Sequence, residues 1–234
     1  MRKIIVLIPT YNEAQNIQPI IERTFSVDPS LSILVIDDNS PDSTANIVRS
    51  MQPNFPNLDL LVRYQQRGFA KSYLAGFHKV ISDNKFDTVI TMDADFSHDP
   101  QEIPHLIKLL DSGADVSLGS RHTTRATFPG ISLWRQLLSR FAQRYVQTIL
   151  GLHIQDCTTG YLAIPINVLR AIGLNQFRSD GYGFLFELKF KLTQQGFKLR
   201  EHPVKWPKRH QGKSKMTNKI ILDSVLLPWK IKFS

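Results

Sequence analysis

Disulfide cross-links are excluded from the outset. Cys157 is the only cysteine in 234 residues, so no intrachain bridge can form, and a reducing compartment is the expected setting. Long apolar runs are missing as well. The opening "MRKIIVLIPTYNE" has the outline of a leader, but its apolar stretch is short and is interrupted by Pro9 and Asn12. It is therefore taken as a first strand. No segment approaches the roughly 18 consecutive apolar residues that a membrane-spanning helix requires. The chain has no low-complexity tract, tandem repeat or Pro/Ser-rich linker, so one domain is the default at this length. Zinc-ligand spacing, an RNP pattern and a helix-turn-helix signature are also lacking, which argues against a nucleic-acid-binding module and against nucleic acid as a partner.

Positive charge, by contrast, is abundant. The net charge is +9, while the 42% hydrophobic content is that of an ordinary globular core. Residues 200–234 carry nine basic residues against two acidic ones, a local net charge of +7. Such a tail favours phosphates, nucleic acid or an anionic membrane surface, with a solvated charged tail as the alternative.

Hydropathy alternates regularly through the first half. "KIIVLIP", "LSILVID", "LDLLVRY", "FDTVITM" and "ADVSLGS" are short continuous apolar runs, as expected of strands in a parallel sheet buried on both faces. Between them lie helical patterns: Ala14 to about Phe25, a helix after "SPDST" with Ser43 or Asp42 as N-cap, "AKSYLAGFHKVIS", and "PQEIPHLIKLLDSG" with Pro100 near its start and Gly113 near its end. This alternation predicts an α/β doubly wound fold, whose ligands bind at the carboxyl ends of the strands. The second half is less regular. It predicts a long helix over 131–151, a strand in "TTGYLAI" returning to the sheet, a helix over 183–196, an extended "FKLREHPVKW", a Gly/Lys-rich loop and a final amphipathic helix broken at Pro228.

The expected strand ends carry the chemistry. Strand one runs into "PTYNE", strand two into Asp37 and Asp38, strand four into Asp93 and Asp95, and strand five into Arg121. Two neighbouring carboxylates repel and both stay charged only with a cation between them. Their hard oxygens suit Mg2+ or Mn2+, which complete their shells with water and substrate phosphates. An Asp-x-Asp pair leaving a strand thus suggests a metal-held diphosphate, although Asp is also common in turns after strands.

Taken together, "PTYNE", "VIDDNSPDST", "MDADFSHDP", "GSR" and "DCTTGY" occur in this order, followed by "GYGFLFEL" and "KRHQGKSK", with "WRQLLSR" between "GSR" and "DCTTGY". The chain resembles family 2 glycosyltransferases of the GT-A fold over nearly its whole length, and within them the dolichol- or polyprenol-phosphate mannose synthases. The resemblance implies a Rossmann-like GT-A domain over 1–215, with a mostly parallel central sheet flanked by helices, and a C-terminal amphipathic tail over 216–234 without a transmembrane segment. It implies that Pro9, Tyr11 and Glu13 line the nucleotide pocket, that Asp38 contacts the base and that Asp37 supports the turn. By the same resemblance Asp93 and Asp95 are catalytic and hold the divalent metal, with Ser97 completing its shell, and His98 supports them. Arg121 is catalytic and, with Arg135, Ser139 and Lys213, binds substrate, while Arg209 and Lys215 bind the donor from a loop that closes over it. Arg135 and Ser139 sit four apart, on one helix face. Arg140 and Arg144 are left to solvent.

The implied reaction is an inverting, Mg2+- or Mn2+-dependent transfer of mannose from GDP-mannose, a nucleotide sugar, to a polyprenyl or dolichyl phosphate. Such a phosphate, with a second pKa near ~6, is already an anionic nucleophile, so cations matter more than a general base. The alternative is a family 2 enzyme using a UDP-sugar such as UDP-glucose with another lipid or a saccharide acceptor. A sugar-phosphate nucleotidyltransferase is disfavoured, because the chain opens with "PTYNE" rather than a Gly-rich loop. Departures from the family pattern are Leu162 where an Arg usually follows the motif aromatic, "GFA" where "GLG" is usual, and "KR" where "DR" is usual. A lipid acceptor requires a membrane surface or a membrane-anchoring partner. The segment "NKIILDSVLLPWKIKFS" suits an interfacial helix with Trp229 near the headgroups, giving a cytoplasmic protein peripheral on the cytoplasmic face.

Overall fold

Each of the five apolar runs in the first half becomes a strand. In order these are β1 (Ile4–Thr10), β2 (Ser32–Asp37), β3 (Leu58–Val62), β4 (Thr88–Thr91) and β5 (Val116–Ser120). The helices between them are α1 (Ile17–Val27), α2 (Thr44–Met51), α3 (Phe69–Asp83) and α4 (Ile103–Asp111). The second half adds α5 (Leu133–Leu150), β6 (Leu162–Pro165), α6 (Ile166–Ala171), α7 (Gly183–Gln194), β7 (Leu199–Pro203) and α8 (Asn218–Lys232). The computed structural model describes residues 2–122, 133–181, 183–204 and 218–233, except the side chains of 133–139 and 218–224.

The strands form one seven-stranded sheet in the order β3-β2-β1-β4-β6-β5-β7. β1 pairs in parallel with both β2 and β4, and β5 with β7, whereas β6 runs antiparallel between β4 and β5. The sheet is thus mostly parallel, as expected. Helices cover both faces. Val6, Ile8, Ile33 and Val35 point towards α1, α2 and α4, packing with Ile17, Ile21, Val48 and Leu106. Their sheet neighbours Leu7, Leu34 and Ile36 point the other way, into a core shared with Tyr73, Phe77, Phe184 and Leu188. This burial on both faces explains why the strands are continuous apolar runs rather than alternating ones.

Several expectations need adjusting. The "TTGYLAI" strand is shorter, starting at Leu162, because Thr159 and Gly160 are drawn into a polar loop described below. A short helix, α6, follows Pro165 and was not anticipated, since six residues carry little periodic signal. The final helix is not broken at Pro228, which lies inside α8. Proline removes one ladder bond and crowds the preceding turn. Tertiary contacts hold the turn nonetheless: the Tyr145 hydroxyl donates to the Val225 carbonyl at 2.7 Å, and Ile231 is buried in the main core. Of the two N-cap candidates for α2, Asp42 supplies the side-chain bonds, accepting from the Thr44 N–H at 3.1 Å, while Ser43 makes no capping bond.

Candidate active site

The strand order reverses at β1, which sits between β2 and β4, and a crevice opens beyond the carboxyl ends of the strands at such a switch point. Pro9, Tyr11, Glu13, Asp38, Asp93, Asp95, Ser97 and Arg121 all follow or end strands at this edge.

On the β1–β2 side the polar groups organise the loops. The buried Asp37 carboxylate accepts from the Thr10 hydroxyl at 2.8 Å, and from the Ser40 N–H and hydroxyl at 2.8 and 2.6 Å. It ties the two strand ends together, which is the supporting role anticipated for it. Asp38 is also buried. Its carboxylate receives the Arg63 guanidinium and, at 2.8 Å, the N–H of Gly68. Gly68 has φ +148, a conformation that favours glycine, and its place at the head of α3 lets the main chain reach Asp38. Tyr11 lies under Arg67, whose guanidinium carbon sits 5.1 Å from the ring centroid while one nitrogen donates to the Tyr11 hydroxyl at 3.2 Å. Glu13 accepts from the Asn16 amide at 2.8 Å, and its own N–H donates to Thr44. Arg63 and Arg67 line this part of the crevice and were missed, because they lie between motifs where a lone Arg gives no signal.

The second cluster surrounds the paired aspartates. Asp93 and Asp95 are both partly exposed, and Ala94 between them is buried, so a single extended step turns both carboxylates outward. His98 is fully buried beneath them; its Nδ1 accepts from the Asp93 N–H at 2.9 Å, and its ring stacks on Tyr161 at 4.9 Å. An accepting Nδ1 places the ring proton on Nε2. Burial pushes the His98 pKa below its ordinary value, against the opposing charges of Asp93 and Asp95, so the ring stays neutral. The turn closes through Phe96, at φ 62, an unusual conformation for a bulky residue and one that collects at functional sites. Ser97 is buried, and its N–H donates to Asp95 at 3.0 Å. The Tyr73 hydroxyl reaches Asp93 at 3.4 Å.

The third cluster joins β5 to the "DCTTGY" loop. Arg121 grips the fully buried Asp156 with Nε at 2.8 Å and a terminal nitrogen at 2.9 Å, and it also bonds the Thr158 hydroxyl. Burial alone would neutralise Asp156, but the Arg121 charge and its hydrogen bonds outweigh burial and hold the carboxyl far below the usual range. In return Asp156 holds the Arg121 pKa up against its own desolvation. Glu201 on β7 caps the loop, accepting from the N–H groups of Gln155 and Asp156 at 2.7 and 2.9 Å. From below, the buried Lys189 donates to the carbonyls of Cys157 and Thr159 at 3.1 and 2.6 Å, and burial lowers its pKa to about 8. Burial likewise raises the Cys157 thiol to about 12, which makes it inert as a nucleophile. Asp156, Thr158 and Lys189 had no assigned role. For Lys189 a signal existed: a charged residue within the apolar "FLFELKFKL".

Leu162 lies at 0% exposure in the core, with its N–H donating to the Thr91 hydroxyl at 3.2 Å. Its side chain therefore faces the protein interior rather than the crevice. Arg140 and Arg144 are exposed, as anticipated. Arg135 and Ser139 lie on α5, but their side chains fall outside the described residues, as do Arg209, Lys213 and Lys215 altogether. Asp93 and Asp95 supply only oxygen donors, with Ser97 beside them, and this set suits a hard divalent cation.

Residues 5–173 match the model of glycosyl transferase family 2. The chain is 34% identical over 234 residues to a polyprenol monophosphomannose synthase of Mycolicibacterium smegmatis, covering 99% of this chain and 88% of the relative. It is 32% identical to an undecaprenyl-phosphate mannosyltransferase of Micrococcus luteus, covering 96% and 91%. A dolichol-phosphate mannosyltransferase of Pyrococcus furiosus is 28% identical, covering 99% and 67%. Among solved structures, glucosyl-3-phosphoglycerate synthase from Mycobacterium tuberculosis, crystallised with Mn2+, UDP-glucose and phosphoglyceric acid, shares the GT-A fold with a TM-score of 0.74 at 16% identity, covering 99% of this chain and 80% of that one.

Proposed function

The chain belongs to glycosyl transferase family 2 and is a glycosyltransferase; from that membership we propose that it transfers mannose from GDP-mannose to a polyprenyl or dolichyl phosphate, with inversion at the anomeric carbon. The observation that carries this reading is the near whole-chain similarity to relatives from three organisms whose names agree on both the sugar and the lipid phosphate.

Asp93 and Asp95, with Ser97, would hold a Mg2+ or Mn2+ ion. When bound, the cation supplies charge neutralisation on the departing nucleotide diphosphate. The protein's own groups do the remaining work. His98 fixes the main chain of Asp93 through its Nδ1 and so sets the direction of that carboxylate. Tyr11, with Arg67 across its ring, forms a flat wall for the nucleoside beside Pro9 and Glu13. Asp38, held by Arg63 and Gly68, stands where the base would be read. Arg121, locked to Asp156 and Thr158, offers a fixed positive charge beside the crevice. A pre-oriented cation needs little rearrangement to hold an anionic acceptor near an anionic donor. Arg135, Ser139 and Lys213 complete the acceptor phosphate site in this reading, and Arg209 and Lys215 engage the donor phosphates.

The same reading assigns 1–215 to catalysis and 216–234 to contact with the membrane, on the cytoplasmic face where a nucleotide sugar is available. No helix among the described residues is long and apolar enough to cross a membrane. Supporting peripheral attachment, Phe141, Val225, Leu226, Trp229 and Phe233 are exposed apolar residues on α5 and at the C-terminal end of the chain.

The test is transfer of radiolabelled sugar from GDP-mannose, and separately from UDP-glucose, to undecaprenyl or dolichyl phosphate. We expect label in the lipid phase from GDP-mannose, abolished by EDTA and reduced at least a hundredfold in Asp95→Asn. Lipid label from UDP-glucose alone would replace the donor, and donor hydrolysis without lipid label would overturn the acceptor.

A further inference from the structure

Three side chains converge that the proposed reaction does not use. Glu102 closes the short 3-10 turn Pro100–Glu102 that leads into α4, His105 lies one turn further along α4, and His202 projects from β7. A single oxygen of Glu102 lies 3.0 Å from Nε2 of His202 and 3.3 Å from Nδ1 of His105. The two imidazoles stack face to face, with centroids 4.6 Å apart and planes within 6°. One ligand atom from each residue can be chosen so that all three lie within 4.8 Å of one another.

We propose that Glu102, His105 and His202 form a second metal site, distinct from the aspartate pair, that takes a borderline transition ion of the Zn2+ type. The donor set decides the class of ion. Two imidazoles and one carboxylate suit Zn2+, Co2+ or Ni2+, whereas Mg2+ and Mn2+ prefer oxygen donors of the kind Asp93 and Asp95 provide. The spacing fits as well. Ligand bonds of about 2.0–2.2 Å in a tetrahedral shell put donor atoms roughly 3.3–3.5 Å apart. Two of the separations, 3.0 and 3.3 Å, are already close to that range. His105, at 56% side-chain exposure, is able to rotate and close the third, while Glu102 and His202 are only 18% and 24% exposed and hold their positions. Three protein ligands leave one coordination position open to water.

The position gives the site a consequence. An ion there would join the head of α4 to β7. The chain passes directly from Glu102 back to Asp99, whose carbonyl accepts the Tyr161 hydroxyl at 2.8 Å, and Tyr161 stacks on the His98 ring that holds Asp93. On the other side, Val204, two residues beyond His202, donates to the Ser120 carbonyl next to Arg121. Metal at this point would clamp together two elements that each connect to residues at the crevice.

The experiment is a Zn2+ titration of the untagged full chain against a chromophoric chelator, with excess Mg2+ present to occupy the oxygen site, together with thermal unfolding. We expect one equivalent of Zn2+ to bind and to raise the unfolding midpoint. His105→Ala and Glu102→Gln should weaken binding at least tenfold and lose the midpoint shift, while Asp95→Asn retains both. Because His105 is largely exposed, its replacement leaves the fold intact, which the unfolding midpoint without Zn2+ checks. Equal Zn2+ affinity in wild type and His105→Ala would overturn the proposal, as would loss of binding in Asp95→Asn alone. Neither result depends on which sugar or lipid the enzyme uses.

Discussion

His98 couples the aspartate pair to the "DCTTGY" segment: it accepts the Asp93 N–H and lies against Tyr161, whose hydroxyl donates to the Asp99 carbonyl. Its chemistry has a measurable sign. Burial lowers its pKa below the ordinary 6.5, so on acidification the unfolded chain takes up the proton first. The stability His98 contributes is therefore present above about pH 6.5 and is lost as pH falls from there towards the lower folded-state value. His122 is shifted in the same direction by burial and adds to the slope. We expect His98→Asn, whose side-chain oxygen can still accept from Asp93, to show a shallower fall in urea-derived stability between about pH 6.5 and 5 than wild type. Equal slopes would mean that His98 is not held neutral. At this scale the sequence revealed candidates better than roles. The resemblance carried by "MDADFSHDP" marked His98 as support, but nothing in the linear order places Asp156 on Arg121, which are 35 positions apart.

Between elements, one close junction is where β5, β6 and β7 meet. Gly119 on β5 is enclosed by Tyr161 and Val204, and a Cβ placed there would lie 2.9 Å from an atom of each side chain. Both neighbours matter to the site, since Tyr161 carries His98 and Val204 follows the strand that caps the "DCTTGY" loop. Overpacking of this kind costs about 1–3 kcal/mol. We expect Gly119→Ala to lower stability by that amount in equilibrium denaturation and to reduce transfer more than a surface substitution would, because the displaced ring is the one stacked on His98. An unchanged denaturation midpoint would show that the junction is slack. The same junction marks the boundary of what was legible. Strands β1, β2, β4 and β5 could be read from their apolar runs because they are largely buried on both faces, whereas the edge strand β3 exposes Asp59 and leaves Leu60, Leu61 and Val62 half-buried. The reversed direction of β6 and its place between β4 and β5 could not, since an antiparallel insertion is set by pairing partners such as Thr91 with Leu162 and leaves no periodic trace. The persistence of α8 through Pro228 was hidden for a similar reason: tertiary contacts to Tyr145 and the core override a local propensity.

For the molecule as a whole, one helix joins the "DCTTGY" loop to an exposed apolar surface. On α5, Gln143 accepts the Cys157 N–H at 2.7 Å and donates to Thr158 at 3.1 Å, so that helix is anchored to the loop that grips Arg121. The same helix exposes Phe141 and, through Tyr145, accepts the indole N–H of Trp229 at 3.0 Å. Trp229 in turn stacks on Phe233 at 6.0 Å. Arg140, Arg144, Lys230 and Lys232 are exposed on these two helices. Aromatic rings among basic side chains are the composition of an interfacial surface, where each cation near an anionic bilayer contributes about 1 kcal/mol and the attraction fades within a Debye length. A lipid phosphate held in such a surface would need to move only from the headgroup layer towards α5 to approach Arg121. We therefore expect the protein to sediment with phosphatidylglycerol vesicles at low ionic strength, to be released by high salt, and to bind neutral phosphatidylcholine vesicles weakly. Trp229→Ala with Phe233→Ala should cut the vesicle-bound fraction severalfold with little change in the unfolding midpoint, because both side chains are substantially exposed. Vesicle binding unaffected by the double substitution would move the contact elsewhere on the surface, and failure to bind anionic vesicles at low salt would leave a separate membrane-anchoring partner as the route to a lipid acceptor.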